Sequence, residues 1–289
     1  MNQQNRTDSP SSLAANSSPA TVSTLDAYAP AQIATRVRDV GVAKAMLPVP
    51  TMFALALLAG AFIALGALFF TVTITTGAAA QPVAFGLLRL AGGITFSLGL
   101  ILVVVGGAEL FTGNNLIAMA WASGQVTTQQ VMRNWGWVYL GNFVGAIGTA
   151  ILVWLAGVHT LSDGAVGETM VRIARAKISL DPVSALGRGI LCNVLVCLAV
   201  WLCMAARSVT DKILAIIFPI SAFVACGFEH SVANMYFLPM GILLTTSSGV
   251  PIDLTGVMEN LAIVTVGNIL GGTVLVAFVY WSVYLRRGA

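Results

Sequence analysis

From Thr51 onward the chain alternates long apolar stretches with short polar ones. A hydrocarbon core of about 30 Å is crossed by roughly 20 residues of helix, and that length recurs along the chain. The spacing predicts helical spans at 51–76, 85–122, 132–158, 183–206, 213–246 and 259–285. The second and fifth are too long for one straight crossing. Each carries polar residues in its middle, GGAELFTGNN at 106–115 and CGFEHSVANM at 226–235, so both are expected to be broken helices.

Ahead of the spans, Ile33, Val37, Val40 and Met46 recur at helical spacing, with Arg36, Arg38, Asp39 and Lys44 between them. That stretch is too polar to span, and an amphipathic helix lying on the membrane surface is expected. Pro48 and Pro50 end it. The first 25 residues are rich in Ser, Thr, Asn and Gln and read as a disordered cytoplasmic tail without a cleavable signal. The organisation is therefore a tail at 1–25, an amphipathic cytoplasmic helix at 26–47, and a transport domain at 48–289.

Composition narrows the class. Hydrophobic residues make up 57% of the 289 and charged residues 9%, against about 25% charged in ordinary globular chains, so a soluble fold is excluded. A net charge of +3 without a basic, aromatic-laced patch argues against nucleic-acid binding. Cys192, Cys197, Cys203 and Cys226 lie in or beside apolar segments without metal-ligand spacing, so no metal is expected. With both termini inside, the inner face carries nine Lys and Arg against five outside, three of those five lying within 172–177.

The chain repeats itself. Glu109 precedes Asn114 by five positions, and Glu229 precedes Asn234 by five. The following spans share GNxxG, as Gly141, Asn142, Gly145 and Gly267, Asn268, Gly271. Three spans followed by three more place the second copy upside down, the inverted-repeat plan of many transporters. The glycines four apart are expected at helix–helix or subunit contacts.

An ionisable side chain at mid-membrane costs roughly 2.5–3.5 kcal/mol on insertion scales, so it faces a cavity or a partner. Glu109, Glu229 and His230 are the candidates. The two carboxylates are expected to accept backbone N–H groups freed at the breaks, holding them in shape with Asn114 and Asn234. His230 can donate a hydrogen bond to an anion and change charge near neutral pH, and Thr112 at the matching break offers a hydroxyl. Broken helices aim N–H groups and positive dipole ends inward, which suits a small anion. No GxGxxG unit, P-loop, HExxH or Ser/His/Asp arrangement stands in a usable context, so neither an enzyme nor a cofactor is expected.

These residues resemble the formate/nitrite transporters. The likeness covers about 26–285 and rests on GGAELFTG, on GILCNVLVCLAVW at 189–201, and on GFEHSVANM. It implies an all-α, polytopic, aquaporin-like fold with six transmembrane helices in a 3+3 inverted repeat. It also implies a homopentamer with one pore per subunit, in a bacterial inner membrane, both termini cytoplasmic. By position, the family's central histidine falls on His230 and its partners on Thr112 and Asn193. Apolar constrictions fall on Leu100 toward the cytoplasm and on Leu110 and Phe223 on the other side, and the basic vestibule residue falls on Lys177. The resemblance further implies gating by the segment at about 26–47, where the sequence itself reads as an anchor.

The expected substrate is formate. AELFTG is worded like nitrite-type members, which keeps nitrite and hydrosulfide as alternatives. A membrane subunit of a respiratory complex is the alternative of another class. A haem-bearing subunit would need several intramembrane histidines, and His159 falls at a span end. A water or glycerol channel would carry NPA, and Pro follows neither Asn114 nor Asn234.

Overall fold

The computed structural model describes residues 26–76, 83–245 and 250–286, so the tail expected at 1–25 lies outside the described residues. The described residues form helices and connections without strands. Helices are the natural outcome for crossings in lipid, because each satisfies its own backbone polar groups. Chain order runs α1 (Pro30–Met46), α2 (Val49–Ile74), α3 (Phe85–Gly106), a 3₁₀ turn (Gly113–Ile117) leading into α4 (Ala118–Ala122), and α5 (Thr128–Leu155). Then follow α6 (Ala165–Ile178), α7 (Pro182–Ala205), α8 (Val209–Ala225), α9 (Ser231–Thr245) and α10 (Leu254–Ile269). The last continues as a π-helical stretch (Leu270–Phe278) into α11 (Val279–Tyr284).

Among the described residues, α2, α3, α5, α7 and the continuous Leu254–Tyr284 rod are long and apolar enough to cross a membrane. The remaining expected span, 213–246, is divided between α8 and α9, and 85–122 is divided between α3 and α4. Starts are set by local caps. Thr127 Oγ1 accepts the Gln130 N–H while the Gln130 side chain accepts the Thr127 N–H, and Ser208 and Asp211 do the same for α8. Because the Thr127 cap precedes a polar first turn, α5 begins earlier than apolar length predicts.

α2 packs against α3 and α5, and α7 packs in the corresponding way against α8 and α10. The second glycine of each GNxxG makes the close approach. A Cβ on Gly145 would stand 2.1 Å from Leu57 O on α2, and one on Gly271 would stand 2.2 Å from Ile190 O on α7. These glycines therefore serve packing within the chain.

The helix at α1 is present, but its buried stripe is Ile33, Ala34, Val37, Gly41 and Ala45, while Met46 is exposed. That stripe packs on α4 and the 3₁₀ turn before it, so protein covers it. α6 was not foreseen as a helix. It buries Val166, Thr169, Met170 and Ala174, packs on α9, and carries Arg172, Arg175 and Lys177.

Candidate functional site

The two breaks are built alike. α3 ends at Gly107 (φ +80°) and α8 runs out at Gly227 (φ +71°), conformations that cost a residue with a Cβ about 1–2 kcal/mol. Past each glycine the chain turns back on the helix: Ala108 N–H donates to Val103 O (2.9 Å) and Phe228 N–H to Phe223 O (3.0 Å). Glu109 N–H then reaches Leu55 O on α2, and Glu229 N–H reaches Arg188 O on α7, both at 3.2 Å.

Amide side chains from the following crossing satisfy much of the freed backbone. Asn142 Oδ1 accepts Phe111 N–H (2.9 Å) while its Nδ2 donates to Ala56 O (2.8 Å) and Glu109 O (2.9 Å). Asn268 Oδ1 accepts Ser231 N–H (2.9 Å) while its Nδ2 donates to Gly189 O (2.8 Å) and Glu229 O (3.0 Å). Sequence reasoning reads these asparagines as neighbours of packing glycines and misses this work.

The carboxylates are occupied differently from the expectation. Glu109 pairs with Lys44 of α1 through Oε1 and accepts Asn114 Nδ2 at Oε2 (2.7 Å). Glu229 accepts Lys177 Nζ at both oxygens (3.0 Å) and Asn234 Nδ2 at Oε2 (2.8 Å). Asn114 also donates to Asn134 Oδ1 (3.0 Å), which donates on to Lys44 O (3.1 Å). Asn234 repeats this through Asn260 (2.8 Å) to Lys177 O (2.9 Å). An amine is the better partner because a buried carboxylate needs a counter-charge as well as hydrogen bonds. Lys44, Asn134 and Asn260 are therefore further site residues that sequence reasoning overlooks, although the Lys–Glu–Asn pattern occurs twice.

Each lysine lines a cavity. The one beside Lys177, of about 220 Å³, also includes Arg89, Arg188, Phe96, Phe223 and His230. The one beside Lys44, of about 230 Å³, includes Glu109, Leu100, Leu110, Val200 and Met204. Leu110 thus stands with Leu100 and apart from Phe223, because it follows Glu109 on the break that Lys44 holds. Phe96 is the aromatic partner of Phe223, their rings meeting edge-on with centroids 5.4 Å apart. Leu100 follows one turn along α3, on the same face as Phe96. A wider recess of about 830 Å³ beside His159 and Arg172 contains none of the expected site residues.

His230 and Thr112 meet where the two breaks come together, 3% and 0% exposed. Thr112 Oγ1 and His230 Nε2 are 2.9 Å apart, and the imidazole lies nearly parallel to the Phe223 ring at 6.0 Å. His230 Nδ1 accepts the backbone N–H of Ala233 in the first turn of α9 (3.1 Å). A backbone N–H can only donate, so Nδ1 carries no proton and the neutral ring holds its hydrogen on Nε2, aimed at the Thr112 oxygen. Asn193 lies behind this pair. Its Nδ2 lies within hydrogen-bond distance of Thr112 O (3.2 Å), Asn115 Oδ1 (2.8 Å) and Asn268 O (2.7 Å), so its two hydrogens link the first break to the α10 asparagine that holds the second. It lines neither cavity.

A family described as formate/nitrite transporter matches residues 31–282. The formate channel FocA of Escherichia coli (strain K12) is 42% identical over 277 residues, covering 91% of this chain and 96% of the relative. A solved structure titled as a pentameric formate channel with formate bound is 39% identical, with a TM-score of 0.75, covering 82% of this chain and 98% of that one. A second, titled as an ion channel of the FNT family, is 30% identical with a TM-score of 0.78, covering 87% and 98%.

Proposed function

The chain belongs to the formate/nitrite transporter family, and from that premise we propose that it conducts formate across the bacterial inner membrane as a homopentamer with one passage in each subunit. The termini and the Lys44 cavity face the cytoplasm, the Lys177 cavity faces outward, and the two halves of the chain run in opposite directions across the bilayer. The relatives named as formate channels support the substrate, and the pentameric structural neighbour supports the assembly.

The mechanism follows from what lies between the lysines. An ammonium at each mouth concentrates anions, and Glu229 or Glu109 beside it keeps capture reversible. Between them Phe96, Phe223 and Leu100 form an apolar barrier, and a bare carboxylate entering it would lose its hydration without compensation. A proton removes that cost. Formate therefore takes up a proton near His230, directly or through water, and crosses as the neutral acid past the Thr112–His230 pair.

The single observation that carries this reading is that pair, held between a lysine-lined cavity on either side and beside an aromatic constriction. The test is a proteoliposome flux assay comparing formate, nitrite, hydrosulfide, acetate and chloride across a pH series. Formate is expected to be fastest, with flux rising as pH falls because more of the substrate is neutral. A His230→Ala variant matching wild-type formate flux at every pH removes the histidine from the mechanism, and preference for nitrite or hydrosulfide reassigns the substrate.

A further inference from the structure

The cavity beside Lys177 holds more positive charge than capture of one formate requires. Lys177 is paired with Glu229 at 3.0 Å, but Arg89 and Arg188 line the same cavity without a carboxylate partner. The ion pairs among the described residues are Arg38–Asp39, Lys44–Glu109 and Lys177–Glu229. Arg89 gives its Nε to Ala225 O (3.1 Å) and one Nη2 bond to Val224 O, at the end of α8, and Arg188 Nη1 lies 3.5 Å from Gly227 O. A guanidinium has five N–H donors in a fixed fork, so both retain donors that backbone does not take. The two also converge. A Cβ built on Gly227 would lie 3.4 Å from Arg89 Nη2 and 3.9 Å from Arg188 Nη1, placing both guanidinium groups within 4 Å of one point.

The two guanidinium groups repel, and the carbonyl oxygens at and just past the end of α8 offset that repulsion without supplying a full negative charge. Resting on the transport reading above, we infer that Arg89 and Arg188 form a binding site for a small dianion, such as a short dicarboxylate or sulfate, which lodges in the outer mouth and obstructs formate. The charge matches two guanidinium groups, and each oxygen pair fits the planar fork. Passage is closed to such a ligand, because both of its charges would need a proton before it could enter the Phe96–Phe223 constriction. The ligand therefore stays where it binds. Arg188 contributes a side chain and, separately, the backbone carbonyl that holds Glu229, so its side chain can be altered while that hydrogen bond remains.

The experiment measures formate uptake into proteoliposomes with oxalate, sulfate or chloride added outside at equal ionic strength. Oxalate and sulfate are expected to slow uptake while chloride does not, and calorimetry on the purified protein is expected to detect oxalate directly. Loss of one charge-assisted contact in Arg188→Leu should raise the half-blocking oxalate concentration about tenfold, read against that variant's own unblocked flux. Arg188→Lys, which keeps charge and loses the fork, should fall between. Wild-type block that persists in Arg188→Leu, calorimetry without oxalate binding, or oxalate crossing with formate overturns the site. Formate flux that is intact but insensitive to oxalate sinks this inference alone, whereas absence of formate flux in untreated vesicles sinks the transport reading.

Discussion

At the scale of residues, the lysines are bound up with their glutamates. Lys177→Met leaves the Glu229 carboxylate buried with Asn234 and without its ion-pair partner, a change worth about 3–5 kcal/mol. The variant should melt well below wild type in detergent and lose formate uptake. Adding Glu229→Gln should restore most of the melting temperature, since the amide oxygen still accepts from Asn234, while uptake stays low. Recovery of uptake together with stability would show that Lys177 acts only as a structural counter-ion. Residue identity was legible in sequence where chemistry was rare: one histidine and two glutamates near the middle of apolar spans stand out without a structure. Asn142 and Asn268 did not stand out, since nothing in a linear sequence reveals which backbone groups a break leaves unpaired. Leu110 was misplaced for a related reason, because the two sides of a break differ by one or two residues along the chain.

At the scale of elements, both breaks depend on glycine, as do the tightest helix contacts, but the two demands differ. A Cβ on Gly107 meets open space, so Gly107→Ala should cost only the left-handed backbone penalty of about 1–2 kcal/mol and still yield folded protein. Gly271→Ala would drive a methyl group to 2.2 Å from Ile190 O, against backbone that has no flexible end to yield. That variant should fail to reach the membrane as a folded species, as judged by size-exclusion profile after extraction. Equal stability of the two variants would contradict the close approach of α7 to the π-helical stretch that continues α10. Apolar length alone predicts the spans that contain α2, α3, α5, α7 and the Leu254–Tyr284 rod, whereas the remaining expected span is divided between α8 and α9. α6 was not, because it is short and amphipathic and its partner, α9, is remote in sequence from it.

At the scale of the whole molecule, sequence spacing predicts the repeat from its glutamates and GNxxG motifs, and the structure extends it to most of the surrounding contacts. Lys44, Leu55 and Ala56 correspond to Lys177, Arg188 and Gly189 at one common spacing, and each makes the same hydrogen bond in its own half. Apolar side chains such as Leu152, Leu155, Phe218 and Met258 are exposed, and the proposed membrane setting and assembly would cover them. The proposed assembly predicts a protein mass five times 30.1 kDa by light scattering in mild detergent, and a mass of a single chain would refute it.

The correspondence of α1 with α6 changes what counts as the ancestral module. A duplicated unit of four helices, an amphipathic leader plus three crossings, accounts for both lysines, whereas a unit of three crossings accounts for neither. A chain shortened to start at Val49 would therefore strand the Glu109 carboxylate, so the N-terminal leader supports the first break as directly as Asn142 does.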